Sequence, residues 1–131
     1  MWLSLLTDEQ RKALLGLAHN VVVSDGLLDP NEEMMIADFK REMDFNPALQ
    51  DEYLELDGIE SIFSSRRTQT IAILNLLRLG YVDGAFEIEE ECLLKEISNA
   101  FGIGEDEFML MDNWVKRLVA LETEARAFMT P

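Results

Sequence analysis

Two acidic turns carry the side chains of this sequence that could bind a ligand. They are VVVSDGLLDPNEE at residues 21–33 and LGYVDGAFEIEEE at residues 79–91. Each turn has an Asp-Gly pair, a second acid four residues after the aspartate and a glutamate seven residues after it. Carboxylate oxygens grouped in this way favour a hard divalent cation such as Ca²⁺, Mg²⁺ or Mn²⁺. The candidate metal ligands are Asp25, Asp29, Glu32, Asp83, Glu87 and Glu90.

The two turns match only the second half of an EF-hand calcium loop. The first and third loop positions would be Val21 and Val23 in one copy and Leu79 and Tyr81 in the other. Two of the side-chain oxygens that normally enclose calcium are therefore missing in both copies, which excludes an ordinary EF-hand pair. With few ligands in each turn, we expect weak binding. Each turn could hold a cation alone, or the two could share one if they converge in space.

The same acids also have a purely structural interpretation. Asp29, Pro30 and Glu32 follow the order of a helix N-cap, a first-turn proline and an acid at the third helical position. Asp25 can bond to its own turn, and Gly26 can supply a positive φ. On this alternative, the acidic turns are helix caps only, and the chain is a protein–protein interaction or adaptor domain with no metal.

The residue types that many enzyme sites need are scarce. His19 is the single histidine and Cys92 the single cysteine, and Glu89 and Glu91 beside Cys92 discourage formation of a thiolate. A single cysteine also excludes an intramolecular disulfide and suits a reducing compartment. The sequence therefore predicts a protein that is not an enzyme and that uses no organic cofactor.

Composition predicts one acidic globular domain over residues 1–131. The hydrophobic content of 48% is enough for a core, and 26 acidic against 11 basic residues give a net charge of −15. Such a surface repels nucleic acid and anionic lipid and favours cations or basic partners. No apolar run reaches the length of a membrane span. We therefore expect a cytoplasmic protein with an unidentified protein partner, no nucleic-acid partner and no direct membrane insertion.

Apolar spacing and capping residues predict an all-α fold of six or seven helices with no sheet. The segment 65–81 is apolar on nearly every face, as expected for a helix buried among others. Asn46 and Pro47 indicate the start of a further short helix that runs through about residue 54. The other expected elements are helices at about residues 8–24, 30–43, 87–101 and 105–129, and a turn at 59–63.

One unit of helix, acidic turn and helix occurs twice, at an offset of 58 residues. The Asp-Gly pair at 25–26 matches the pair at 83–84, and the apolar Ile36 and Phe39 match Leu94 and Ile97. The two repeat units cover about residues 8–43 and 65–101.

The motifs SDGLLDPNEE and VDGAFEIEEE, each after an apolar helix, resemble those of the TerB-like family. This family comprises the tellurite-resistance protein TerB and relatives that include the N-terminal domain of a DnaJ-like co-chaperone. The resemblance covers most of the chain and implies an all-helical fold with an internal pseudo-twofold repeat. It also implies a role in the response to tellurite or other stress, with metal binding through the acidic turns.

On that resemblance, the family's signature acids are Asp25 and Glu32 in the first turn and Asp83 and Glu90 in the second. The acidic positions between them are Asp29 and Glu87. The chain departs from the family pattern at three positions. Ser24 and Val82 replace the usual alanine before Asp-Gly, and Ile88 replaces the first-turn proline that the first copy retains. We therefore expect the second turn to differ in shape from the first.

Overall fold

The fold is built from α-helices in a computed structural model that describes residues 1–24, 26, 29–46, 52–82 and 87–130. No strand occurs among these residues, which confirms the all-α prediction. A short 3₁₀ helix, Leu3–Leu5, precedes six α-helices within the described ranges. These are α1 (Asp8–Val23), α2 (Pro30–Glu42), α3 (Ile59–Ile62), α4 (Arg66–Gly80), α5 (Ile88–Ala100) and α6 (Glu105–Met129).

Hydroxyl side chains fix the starts of α1 and α4. The Thr7 hydroxyl accepts a hydrogen bond from the Gln10 amide at 3.2 Å, and the Gln10 side chain accepts one from the Thr7 amide at 3.0 Å. The Ser65 hydroxyl accepts from the Thr68 amide at 3.2 Å. These bonds satisfy amides that have no partner within the helix, so each helix begins directly after its cap. The reciprocal pair of bonds between Thr7 and Gln10 is a capping box.

A residue in the left-handed region ends both α2 and α5. Gly102 has φ 76°, as expected for a glycine closing a helix, and Asp44 takes φ 66° at the corresponding place after α2. In both cases the amide of the next residue donates to the carbonyl five residues earlier. The Phe45 amide donates to the Lys40 carbonyl at 2.7 Å, and the Ile103 amide donates to the Ser98 carbonyl at 3.0 Å. These bonds use carbonyls that the helix end leaves open and turn the chain sharply.

Helix α4 is the centre of the fold, as its apolar sequence predicts. It packs against α1, α2, α5 and α6. Ile73, Leu76, Leu77 and Leu79 on α4 are completely buried. Helix α1 packs against α2, α3, α4 and α5, so the described helices share one hydrophobic core and form a single all-α domain.

A non-helical segment at residues 52–55 lies against α1, and here the helix predicted to run through about residue 54 is wrong. The Asn20 side chain bonds both backbone groups of Leu54, accepting from its amide at 3.1 Å and donating to its carbonyl at 2.5 Å. Gly16, one turn earlier on α1, leaves room for the Leu54 side chain. A helix at these residues would need the amide and carbonyl of Leu54 for its own hydrogen bonds, and Asn20 already uses both. Residues 47–51, where that helix was predicted to begin, lie outside the described residues.

Among the described helices, none combines the length and the apolar character that crossing a membrane requires.

Candidate functional site

The first turn of α2 is capped by Asp29, as the sequence predicts. An Asp29 carboxylate oxygen accepts hydrogen bonds from the Asn31 amide at 2.7 Å and the Glu32 amide at 3.4 Å. Pro30 takes the first helical position, where its lack of an N–H costs nothing. Gly26 has φ 75°, which confirms the positive φ expected in the turn that leads to this cap. Asp25, the first candidate ligand, lies outside the described residues.

The first turn of α5 follows a similar plan with different residues. Glu87 occupies the N-cap position, and its amide donates to the Glu90 carboxylate at 3.4 Å. Ile88 stands where α2 has its proline and is 75% exposed. The bond from the Glu87 amide is one half of a capping box, in which the side chain of the third helical residue accepts from the amide of the N-cap residue. It gives Glu90 a structural role at the start of α5. Asp83 lies outside the described residues.

Glu32 and Glu90 are buried, whereas the other acids of the same helical turns are exposed. Their relative exposures are 5% and 3%, while Glu33, Glu89 and Glu91 lie in solvent. Both buried glutamates occupy the third position of their helix, where the helix dipole favours a negative charge. Carboxylates are rarely buried without hydrogen bonds or a positive charge that compensates for the loss of water. This burial distinguishes the two residues from solvated surface acids.

The described part of the candidate site does not by itself complete a metal site. Among the described residues, no three His, Cys, Asp or Glu side chains lie close enough to hold one metal ion. Asp29 and Glu87 cap separate helices, and Glu32 and Glu90 are the buried members of the set. A complete site would therefore need Asp25 or Asp83, which belong to the undescribed parts of the two turns.

A polar cluster that the sequence did not reveal anchors the start of the second turn to α6. The Tyr81 hydroxyl donates to the Asp112 carboxylate at 2.6 Å. Lys116 lies 3.2 Å from the other carboxylate oxygen, and its ammonium group is 5.9 Å from the centre of the Tyr81 ring. Asp112 and Lys116 have the spacing of an intrahelical ion pair, which is a visible signal. The pairing of Asp112 with Tyr81, 31 residues away, has no counterpart in the sequence pattern.

Burial raises the pKa of Tyr81 above its usual value near 10, and the hydrogen bond to Asp112 adds to the shift. The negative charges of Asp112 and Glu91 raise this pKa further. Since Glu91 is in the first turn of α5, the tyrosine senses charge on the helix that follows the second acidic turn.

A pocket of about 200 Å³ opens between α5 and the start of α6. Its walls contain one basic and one acidic side chain, Lys95 and Glu105, with Ser98, Asn99, Ile103 and Phe108 around them. None of the four described candidate ligands, Asp29, Glu32, Glu87 and Glu90, lines it.

Comparisons with known proteins supply no family for this chain. No protein-family model matches it, and neither a curated protein nor a solved structure does.

Replacing Tyr81 with phenylalanine should make the protein less sensitive to alkali. Because the pKa is raised in the folded state, the tyrosine contributes stability that is complete below pH 10 and is lost as the pH rises towards the folded-state pKa. We expect the free energy of unfolding of the unmodified protein to fall above pH 10 by up to about 1 kcal/mol per pH unit more than that of Tyr81→Phe.

Urea denaturation between neutral pH and about pH 11 measures this difference. Tyr53→Phe is the matched control, because Tyr53 is 69% exposed and has no place in the cluster. That variant should keep the alkaline sensitivity of the unmodified protein. Equal sensitivity in Tyr81→Phe and the unmodified protein would contradict the assignment to Tyr81.

Proposed function

We propose that this chain is a non-enzymatic acidic helical module that binds a hard divalent cation weakly at its two acidic turns. The observation that carries the proposal is the burial of Glu32 and Glu90 at the third position of α2 and α5. The ligands would be these two glutamates together with Asp25 and Asp83, and Asp29 and Glu87 would stand beside them as caps. Oxygen ligands of this kind suit Ca²⁺, Mg²⁺ or Mn²⁺.

The energetics of burial favour a cation near these glutamates. A helix N-terminus stabilises a carboxylate by about 0.3–1 kcal/mol, and more in partly buried positions. Removing an ionised carboxylate from water costs several kcal/mol. Hydrogen bonds offset part of that cost, as the Glu87 amide does for Glu90. A divalent cation adds a compensation that grows with the number of carboxylates around it.

We further propose that the two turns are copies of one unit, arranged as an internal repeat. An offset of 58 residues relates the N-caps Thr7 and Ser65 and the left-handed residues Asp44 and Gly102. The same offset relates the bounds of α2, residues 30–42, to those of α5, residues 88–100. The buried positions of the two helices also correspond: Glu32, Ile36, Phe39 and Lys40 in α2, and Glu90, Leu94, Ile97 and Ser98 in α5.

The repeat supports a relation to the TerB-like family, which the turn motifs resemble. In that relation the module acts in a response to tellurite or other stress, together with a protein partner. Its strongly negative charge favours a partner with a basic surface.

Thermal unfolding with and without cations tests the proposal. A cation that binds with a dissociation constant near 1 mM should, at about 10 mM, stabilise the fold by roughly 1.4 kcal/mol, because only the folded state binds it. For a domain of this size that corresponds to a Tm increase of about 5 °C. We expect the increase with Ca²⁺, Mg²⁺ or Mn²⁺ after prior treatment with chelator, and its loss in the Asp25→Asn, Asp83→Asn double variant.

The control is Asp57→Asn, which alters the remaining Asp-Gly pair of the chain. Seven residues after Asp57 stands Ser64 rather than a glutamate, so this pair has no second acid at the required spacing. Asp57→Asn should therefore keep the full cation effect on Tm. No increase in the unmodified protein with any of the three cations would end the proposal.

A second candidate function is a protein interaction module without a metal. The hydrogen bonds of Asp29 to two backbone amides favour it, because they give the acid a complete role as a cap. In this case the same melts would show no effect of divalent cations beyond that of matched ionic strength.

A further inference from the structure

A second apolar stripe runs along α6, beside the face that holds its buried residues. Its members alternate at spacings of three and four residues: Met111, Trp114, Leu118, Leu121, Ala125 and Phe128. We call this row the α6 seam. The spacing is that of the two core positions of a coiled-coil heptad. It extends over most of the 25 residues of the helix.

The α6 seam is open to solvent at Leu121 and Phe128, whereas Met111 and Trp114 in its first half are partly buried against the core. Leu121 is 61% exposed and Phe128 90% exposed. The face of α6 that packs against α4 and α5 is different, with Phe108, Asp112 and Val115 as its buried residues. Residues 116–130 are all described, and none of them is buried. The second half of α6 therefore presents two large apolar side chains, Leu121 and Phe128, that the described part of the chain leaves mostly uncovered.

We propose that the α6 seam pairs with the α6 seam of a second copy of this chain, with the two helices antiparallel. In antiparallel pairs, one core position of the heptad faces the other core position of the partner. In the register centred between Leu118 and Leu121, these two residues face each other across the twofold axis. Trp114 then faces Ala125, and Met111 faces Phe128, in both halves of the contact. The largest side chain of the seam, Trp114, thus meets the smallest, Ala125.

Parallel pairing fits the same residues poorly. Each core residue would then face its own copy, so that two tryptophans at position 114 would meet in one layer and two alanines at position 125 in another. The first layer is overfilled and the second leaves a void, and both arrangements cost stability. Size complementarity along the seam therefore selects the antiparallel direction.

Charges beside the seam select the same direction. Arg117 and Glu124 are both exposed and flank the seam on the side away from α4. The antiparallel register brings Arg117 of each copy close to Glu124 of the other, which gives two opposite-charge contacts related by the twofold axis. In a parallel pair, Arg117 would be directed to Glu122 of the second copy. Glu122 already forms an ion pair with Arg78 of its own chain at 2.8 Å.

The body of the domain also suits this arrangement. Trp2 packs on Trp114 with ring centres 6.3 Å apart and is itself 49% exposed, so it widens the apolar surface at one end of the seam. In each copy, the helices α1 to α5 lie beside the first half of α6. The antiparallel direction therefore places these two groups of helices towards opposite ends of the contact. That separation reduces the repulsion between two chains of net charge −15. The pairing does not depend on cation binding at the acidic turns.

Sedimentation equilibrium over a range of micromolar concentrations tests the pairing in the unmodified chain. We expect a reversible monomer–dimer equilibrium that shifts towards dimer as the NaCl concentration rises, because salt screens the net repulsion between the chains more than it weakens the two Arg117–Glu124 contacts and does not weaken the apolar contact. A chain that stays monomeric at every concentration and salt level would overturn the proposal.

A charge exchange tests the direction. Arg117→Glu should raise the dissociation constant of the dimer about tenfold, because it replaces two opposite-charge contacts by two like-charge contacts. Adding Glu124→Arg to this variant should restore the original value. Positions 117 and 124 are two helical turns apart within one chain, so a rescue reports a contact between chains. Arg126→Glu, an equal charge change off the seam, should alter the dissociation constant less than twofold.

Leu121→Asp should raise the dissociation constant more than tenfold, since it places a carboxylate in the middle of the seam. Circular dichroism of the dilute monomer should show an unchanged fold, because Leu121 is exposed there. A dimer that persists unchanged in both Leu121→Asp and Arg117→Glu would show that another surface pairs. Failure of the charge exchange to restore the dimer would overturn the antiparallel register.

Discussion

Replacing Ile73 with alanine should lower the free energy of unfolding by about 3–4 kcal/mol, the largest loss we expect from a single substitution described for this chain. Ile73 is completely buried on α4, the helix that contacts α1, α2, α5 and α6. The substitution removes three carbon atoms and leaves a cavity that four surrounding helices cannot easily close. Urea denaturation monitored by circular dichroism measures the loss.

Ile88→Ala is the matched control for this prediction. Ile88 is also in a helix, at the first position of α5, but it is 75% exposed. Its replacement should change the free energy of unfolding by less than about 0.5 kcal/mol. If Ile73→Ala were as mild as Ile88→Ala, the central position of α4 in the core would be wrong.

Local signals were sufficient to predict most of the helices. Thr7 and Gly102 determine their helix ends through bonds within a few residues, so the sequence contains all the information needed. The apolar sequence of 65–81 required a helix surrounded by others, and α4 meets that requirement. These predictions succeeded for two reasons. The capping bonds join residues that are close in sequence, and the burial of α4 depends only on how apolar its own segment is.

The conformation of residues 52–55 could not be predicted in the same way. Asn46 and Pro47 give a local signal for a helix start, but the backbone of Leu54 is held by Asn20, which is 34 residues away. A side-chain amide that bonds both backbone groups of a distant residue leaves no periodic trace in the sequence. Here a tertiary interaction determines the structure against the local preference.

For the candidate site, the sequence predicts the residue that caps α2 but not the burial of the glutamate three positions after it. The capping role of Asp29 follows from its place before Pro30, and the structure confirms it. The burial of Glu32 was not predicted, because acids in a first helical turn are usually solvated. A signal was nevertheless present: Glu32, Ile36 and Phe39 have the spacing of one helical face, which places the glutamate in line with core residues.

Replacing Gly16 with alanine should destabilise the protein by about 2 kcal/mol, although alanine is the better helix former by about 1 kcal/mol. A Cβ atom at this position on α1 would lie 2.6 Å from the Cβ of Leu54. Asn20 holds the Leu54 backbone in place through two hydrogen bonds, so the segment cannot move away without breaking them. The overlap therefore costs more than the gain in helix propensity, and urea denaturation measures the net effect.

A double-mutant cycle identifies the overlap with Leu54 as the cause. Leu54→Gly removes the Cβ that the new methyl group would meet, so Gly16→Ala in that background should stabilise the protein by up to about 1 kcal/mol, the ordinary gain in helix propensity. Leu54→Ala keeps the Cβ, and in that background Gly16→Ala should remain destabilising. Because the two backgrounds differ by a single carbon atom, a change of sign between them reports the contact itself. The same sign in both would mean that Gly16 is required for a reason other than the approach of Leu54 to α1.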